Sequence, residues 1–231
     1  MKELYIIGAG TYGEVMFELA EACGYRICGV LDDDESKTGC RFMDSAVIEK
    51  LSDREESFFE DKNFVVAIGN NETRYKIMNR ILKSGGHTPT LIHPTATVSS
   101  SAEIGQGVYI QMGAVIWTKV KIGDFTIISP NTVIAHHTKI GKACLISTLC
   151  AVGASIDIGN FAMFGFGSIA ITGMHRIGNN VMLGAGTTLT KDVGDNVLMV
   201  GTPARKVKDR MPVNEIFYDI DKYNQFPSER K

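Results

Sequence analysis

The chain has 231 residues, 44% of them hydrophobic and 22% charged, with a formal net charge of -2. This balance fits an ordinary folded domain with a sizeable core and argues against a broad nucleic-acid footprint, since no long basic stripe occurs. No apolar run approaches the roughly 18 residues of a membrane span, and the opening MKELYIIGAG runs too directly into glycines to read as a signal peptide. The five cysteines, Cys23, Cys28, Cys40, Cys144 and Cys150, have no CxxC spacing and read as reduced, packed thiols of a cytoplasmic protein rather than metal ligands.

Taken in chain order, LYIIGAG is a buried parallel strand running into a glycine turn. TYGEVMFELAEACG follows as a helix, with Val15, Leu19 and Ala22 as its apolar positions and Gly24 as its stop. YRICGVLDDD is a second strand ending in acids, NFVVAIGNN a third, and ETRYKIMNRILKSGG a second helix. Strands alternating with helices predict a small doubly wound sheet over residues 1–90. Gly8, Gly10 and Gly13 form a G-x-G-x-x-G between strand and helix, where backbone N–H groups can hold a diphosphate. Asp32 and Asp33 follow about twenty residues later, where a ribose hydroxyl would be met. On these local signals NAD binding is an alternative, as is a plain tight turn. Ninety residues make half of a dinucleotide fold, so a mononucleotide fits better.

From Ile92 the pattern changes. Every sixth residue is apolar: Ile92, Val98, Ile104, Ile110, Ile116, Ile122, Ile128, Ile134, Ile140, Ile146, Val152, Ile158 and Phe164. Four residues after each lies a small or β-branched one, from Ala96 through Thr126, Thr132 and Thr138 to Cys144, Cys150 and Ser168. No α-helix has a period of six. The unit is a short strand with two inward positions, then a turn. Ile-Gly recurs every 18 residues at Gly105, Gly123, Gly141 and Gly159, then after 19 at Gly178. Three strands and three turns therefore make one coil of a triangular solenoid. Glycine is expected at a corner needing backbone freedom, and the extra residue in AITGMHR (170–176) is expected to form a bulged corner.

These repeats, with the closing VGTPARKV (200–207), resemble the hexapeptide-repeat acyltransferases, and the resemblance covers about residues 92–206. It implies a left-handed parallel β-helix. Together with AIGNNETR (67–74), the two halves resemble bacterial nucleotide-sugar acetyltransferases of the sialic-acid O-acetyltransferase and amino-sugar N-acetyltransferase group. The fold class expected is an α/β Rossmann-like mononucleotide-binding domain (1–90), an all-β left-handed parallel β-helix (91–206) and a C-terminal tail (207–231). The resemblance implies a nucleotide-activated amino sugar held by Gly8, Gly10, Tyr12, Gly13, Asp32, Asp33, Gly69, Asn70 and Arg74. It implies acetyl-CoA as co-substrate, with Ala154, Gly165, Gly184, Pro203 and Arg205 on its side of the site, a homotrimer, and no metal.

His136 and His137 form the candidate catalytic pair. They fall between the inward Ile134 and Thr138, so both point away from the core, and Thr118 and Ala154, one coil away, are small enough to leave room for a ligand. On pattern alone the pair is either catalytic or two solvated side chains at a corner. The resemblance places a catalytic histidine at His136, as general base for direct acetyl transfer to an amine, or to a hydroxyl. Three positions depart from the family: His137 stands for the usual Asp or Glu, Leu145 for a second histidine, and Tyr12 for a histidine. An alternative reading is therefore a sugar-nucleotide binding protein with weak catalysis. His87 and His93 read as structural, Trp117 as packing or interface, and His175 as part of the bulge. A zinc site of the γ-carbonic-anhydrase kind does not fit the spacing of His136, His137 and His175.

Overall fold

In the computed structural model, which describes residues 2–43 and 46–213, the first domain is a five-stranded sheet. Its strands are β1 (Lys2–Ile7), β2 (Tyr25–Leu31), β3 (Arg41–Phe42), β4 (Ala46–Glu49) and β5 (Phe64–Val66), in the order β3-β4-β2-β1-β5. β1 pairs in parallel with both β2 and β5, and β4 in parallel with β2. Only β3 runs antiparallel. Helices α1 (Thr11–Ala22) and α2 (Asn71–Lys83) complete the doubly wound pattern. The apolar face of α1 differs from the expected one. Met16, Phe17, Leu19 and Ala20 are buried, whereas Val15 is 42% exposed and Ala22 is also exposed. The buried stripe continues across Met16 and Phe17, which places Val15 on the rim toward the second domain.

That domain is a parallel β-helix built from two-residue strands. Its first face carries Leu91–Ile92, Tyr109–Ile110, Ile127–Ile128, Leu145–Ile146, Met163–Phe164 and Met182–Leu183, and ends in Val197–Val200 and Arg205–Asp209. The second face runs from Thr97–Val98 through Val133–Ile134 to Thr188–Leu189, and the third from Glu103–Ile104 to Arg176–Ile177. Coil-to-coil register is 18 residues, as in Ile116↔Ile134↔Val152, and becomes 19 at Ile158↔Ile177, across the bulge that holds Gly173 at φ +99°. From Ile110 onward the six-residue column is buried. Ile92 is 38% exposed and Val98 and Ile104 are half-buried, because no earlier coil covers that end. The second inward column explains its own composition. The hydroxyls of Thr126, Thr132 and Thr138 donate to the carbonyls of Gly141, Ser147 and Gly153 at 2.9, 2.8 and 2.7 Å, and the Cys144 and Cys150 thiols donate to Gly159 and Gly165. A small side chain with one donor ties each coil to the next.

The Ile-Gly glycines serve a different purpose from the one expected. Gly105, Gly123, Gly141, Gly159 and Gly178 are not among the left-handed residues; a Cβ on Gly123 would lie 2.8 Å from the Gly141 backbone, and one on Gly159 2.5 Å from the Asn179 nitrogen. Glycine is required there because adjacent coils touch. The left-handed position comes two residues later and is filled by Gly107, Phe125, Ala143, Phe161 and Asn180.

One apolar cluster spans both domains, joining Phe59, Phe64 and Tyr75 to Leu91, Tyr109, Phe125, Ile127 and Phe161. The first face of the β-helix is thus covered along its early coils. Outward positions of the third face are charged (Glu103, Lys121, Lys139, Asp157, Arg176), whereas those of the second are Thr97, Val115, Val133, Ala151, Ile169 and Thr188, apolar along its middle coils. Beyond residue 206, Arg205–Asp209 pairs antiparallel with Val197–Val200, and Val213 is buried against the shared cluster. Residues 214–231, most of the expected tail, lie outside the described residues. Among the described residues no helix is long and apolar enough to cross a membrane.

Candidate functional site

The glycine loop is held from within. Gly8 sits at φ +107°, and a Cβ there would meet the Ala67 carbonyl oxygen at 2.8 Å; one on Gly13 would meet the Gly8 carbonyl oxygen at 2.2 Å. Gly10, by contrast, has nothing within 4 Å of a built Cβ and is exposed. Two glycines therefore serve packing, and the middle one leaves open space at the start of α1. Asp32 closes the loop from the other side. Its Oδ2 accepts from the Ala9 amide at 2.7 Å and from Lys37 at 3.1 Å, and its Oδ1 from the Asp34 amide at 2.9 Å. Partial burial opposes its charge, but the two amides and Lys37 prevail and hold its carboxyl below the usual carboxylate range. Asp33 is exposed and accepts from the Ser52 amide at 2.7 Å. Both carboxylates thus have protein partners at the mouth of the loop.

Asn70 caps α2, its side-chain oxygen accepting from the Thr73 amide at 2.9 Å. Arg74 corrects the expectation that it contacts a nucleotide. It is fully buried, and its guanidinium donates to the carbonyls of Phe125, Ile68, Gly69, Ala143 and Cys144 and to Asn71 Oδ1, at 2.8–3.3 Å. All of its donor nitrogens face protein carbonyls, so it clamps α2 to the β-helix and braces the Ile68–Gly69 loop. Burial lowers its pKa to about 10. Asn71 reinforces the joint by donating to the carbonyls of Phe161 and Ala162 at 3.2 and 3.3 Å.

A cavity of about 330 Å³ opens between the two domains, lined by Tyr12, Val15, Gly69, Gln111, Ser129, Pro130, Leu145, Ser147, Thr148 and Phe166. Its polar wall is organised around Tyr12, whose hydroxyl oxygen accepts from Gln111 Nε2 at 3.1 Å. Burial pushes the Tyr12 pKa up to about 12, so this hydroxyl keeps its proton at neutral pH and can donate it to an acceptor. Ser129, Ser147 and Thr148 add hydroxyls to this wall, and Leu145, Val15, Pro130 and Phe166 supply its apolar part. A second cavity of about 230 Å³ lies across Gly69, beside Asn70, Glu72, Asn180 and Arg210. Gln111, Ser129 and Ser147 were missed by sequence reading. The signal was present: each is the first residue after a first-face strand, a position shared with Gly165 and Gly184.

His136 and His137 are exposed, as their outward register predicts. They sit at the corner between the second and third faces, with His137 in the left-handed conformation at φ +60°. Their Nδ1 atoms are 3.1 Å apart, and the Trp117 ring stacks on His136 with centroids 6.3 Å apart and planes inclined by 26°. The cavity lies at the other corner of the second face, where Pro130 and Thr148 turn the chain. One chain therefore does not bring the histidine pair and the cavity together. The acetyl-CoA set divides likewise. Gly165 and Gly184 belong to the cavity's corner and Ala154 to the histidines' corner, while Pro203 and Arg205 lie at the hairpin joining Val197–Val200 to Arg205–Asp209. Cys144 is buried and its thiol pKa is pushed by burial up to about 12, so it offers no nucleophile. The His87 amide donates to the Lys62 carbonyl and the His93 amide to that of Ile110, His93 Nδ1 meets the Thr95 hydroxyl, and the His175 amide donates to Asp192 at 2.7 Å. No group of three metal-ligating side chains occurs among the described residues.

Comparison with known proteins agrees with both halves. Residues 3–81 match the model of the PglD N-terminal domain, and residues 101–136 that of the bacterial transferase hexapeptide (six repeats). Over 116 residues the chain is 35% identical to UDP-N-acetylbacillosamine N-acetyltransferase of Bacillus subtilis, covering 48% of this chain and 51% of that protein. The chain thus spans about half the length of this curated relative. The structure is similar to a histidine variant of perosamine N-acetyltransferase from Caulobacter crescentus, solved with CoA and GDP-perosamine, at TM-score 0.82 and 28% identity, covering 90% of this chain and 98% of that one. It is also similar to the acetyltransferase domain of PglB from Neisseria gonorrhoeae, at TM-score 0.80 and 28% identity, covering 90% and 100%. The chain thus joins a PglD-type N-terminal domain to a hexapeptide-repeat β-helix, and it is similar in sequence and structure to nucleotide-sugar acetyltransferases.

Proposed function

We propose that the protein transfers the acetyl group of acetyl-CoA to the amine of a nucleotide-linked amino sugar, with His136 as general base. The observation that carries this reading is the cavity between the domains. It is bounded by the nucleotide-type loop at Tyr12 and Gly69 on one side and by the β-helix on the other, and the perosamine N-acetyltransferase of the same architecture binds CoA and GDP-perosamine. In this reading the open ground above Gly10 takes the diphosphate, which the N-terminus of α1 attracts, and the sugar enters the cavity beside Tyr12 and Gln111.

The amine attacks the thioester carbonyl carbon. Its N–C bond forms as the C–S bond breaks, its proton passes to His136 Nε2, and that proton or one from water goes to the departing thiolate. No covalent enzyme intermediate is involved.

The separation of cavity and histidines by one β-helix face is resolved by a neighbouring copy. The second face presents Val115, Val133, Ala151 and Ile169, flanked by exposed Met112, Leu149 and Phe166 at one corner and Trp117 and Ile171 at the other. A contiguous apolar surface of this kind marks a contact with another protein surface. A contact of one face with a different corner of the next copy is heterologous and closes as a ring, for which a triangular prism suits three copies. His136 of one copy then meets the cavity of another.

A thiol-release assay over UDP-, GDP- and dTDP-linked amino sugars tests the activity. Release dependent on both substrates is expected. Binding without release across the panel would favour the alternative of a sugar-nucleotide binding protein, for which Leu145 in the cavity wall is the motivation.

A further inference from the structure

We propose that the cavity between the two domains binds the acceptor amine as its uncharged free base, so that the ammonium proton is left in solvent before acyl transfer begins. The inference rests on the reading of that cavity as the acceptor site. None of the ten residues lining it is charged. An ammonium entering it exchanges water for hydroxyls, an amide and apolar side chains, with no carboxylate in the wall among the described residues. Desolvation of this kind disfavours the charged form of an amine.

The buried charge beside the cavity has the wrong sign for an ammonium. The Arg74 guanidinium donates to the Ile68 and Gly69 carbonyls at 3.0 and 3.3 Å, against the Gly69 backbone that forms part of the wall. Its partners are neutral carbonyls and the Asn71 side chain, so its charge is left uncompensated, and its field reaches Tyr12 across the site. Neither helix adds a carboxylate: Glu14 on α1 is exposed, and Glu72 on α2 lines the second cavity. Asp32 is held at the glycine loop by the Ala9 amide and Lys37. In the assembly, the corner of the neighbouring copy brings His136, His137 and Lys119, none of which can become negative.

The polar groups of the wall suit a neutral amine. The Tyr12 hydroxyl accepts from Gln111 and keeps its own hydrogen to donate. Ser129 and Ser147 are 8% and 7% exposed, and their hydroxyls have no partner among the described residues. A hydroxyl can donate to the lone pair of a free amine, which an ammonium lacks. The proton count also closes. A free amine has two N–H hydrogens and the product amide one, so a single proton passes to His136, whereas a bound ammonium would send two through the same base.

Below the amine's solution pKa, affinity then rises about tenfold per pH unit. An amine as basic as a lysine side chain, with a pKa of about 10.4, would be held back roughly a thousandfold at about pH 7.4, so the site selects weakly basic amines. Isothermal calorimetry of the full chain, in two buffers of different ionisation enthalpy, counts the proton without any turnover. The probes are UDP-, GDP- and dTDP-linked amino sugars, each beside the same nucleotide sugar carrying a hydroxyl in place of the amine. About one pH unit below the amine's solution pKa, the amino sugar is expected to release about 0.9 proton more than its hydroxyl analogue. Ser147→Asp adds a carboxylate to the wall and is expected to lower that difference by about half or more. An amino sugar that binds with the same proton count as its analogue, or a Ser147→Asp protein with wild-type release, would overturn the proposal and leave nucleotide-sugar binding standing. A panel in which no amino sugar binds would overturn the acceptor reading together with it.

Discussion

The phenol oxygen of Tyr109 accepts the amide proton of Val66 across the domain boundary at 2.9 Å. β5 is the edge of its sheet, so Val66 has no strand partner on that side, and a β-helix side chain provides one. Tyr109 is fully buried. Tyr109→Phe would leave a buried donor unpaired at a cost of about 1–3 kcal/mol. Arg74→Met is expected to cost more, because carbonyls from both domains lose their shared donor. Urea denaturation checks both. A Tyr109→Phe protein as stable as wild type would mean that water reaches Val66.

Alkaline pH is expected to destabilise the fold. Burial raises the pKa of Cys144 and of Tyr12 to about 12, and also raises that of Tyr109. The unfolded chain releases these protons from about pH 9 upward while the folded chain keeps them, so stability present below pH 9 is lost toward pH 12. Arg74 acts oppositely. Its lowered pKa lets the folded chain release a proton first, but only from about pH 10. Cys150, Cys23, Tyr5 and Tyr25 are raised in the same sense and Arg210 is lowered with Arg74, so the raised thiols and phenols dominate and the net effect is a decline. Cys144→Ala should delay its onset; an unchanged onset in that variant would remove Cys144 from the account.

Gly10→Ala and Gly13→Ala separate binding from folding. A methyl on Gly10 meets nothing, whereas one on Gly13 lies 2.2 Å from the Gly8 carbonyl oxygen. The first variant should keep its melting temperature and lose nucleotide-sugar affinity by about tenfold, or 1.4 kcal/mol. The second should lose stability outright. Calorimetry on both, with unchanged affinity in Gly10→Ala, would move the diphosphate elsewhere.

His136→Ala should lower turnover by roughly 10²–10⁴-fold with little change in KM. Its melting temperature should hardly move, because the side chain is exposed and the core column is carried by Ile134 and Thr138. Ile134→Ala, two residues earlier, should instead cost about 2–5 kcal/mol, since Ile134 is fully buried.

Ile169→Glu places a charge on the apolar second face, where Ile169 is 40% exposed. Light scattering should show three copies for wild type and a smaller species for the variant. Activity should fall with it, because His136 then has no partner cavity. An active monomer would contradict the shared site.

The six-residue period determined the solenoid unaided, because a column buried in every coil admits only apolar or small residues, from Ile110 to Phe164. The outward register of His136 and His137 followed from that same column. Three strands and both helices of the first domain were legible too, since they depend on local patterning and glycine stops, whereas the short edge strands β3 and β4 were not. Tertiary structure decided the rest. Arg74 lies within a loop motif that reads as ligand-binding, yet its guanidinium is spent on carbonyls from residues 51 to 70 positions away in sequence. The Ile-Gly glycines read as turn residues, yet contact with the next coil excludes a side chain there. Tyr12 and Gln111 are 99 residues apart, and no local pattern announces that they share a wall. A period reports what a residue's own coil requires; which distant backbone or side chain arrives beside it is set only when the two domains pack.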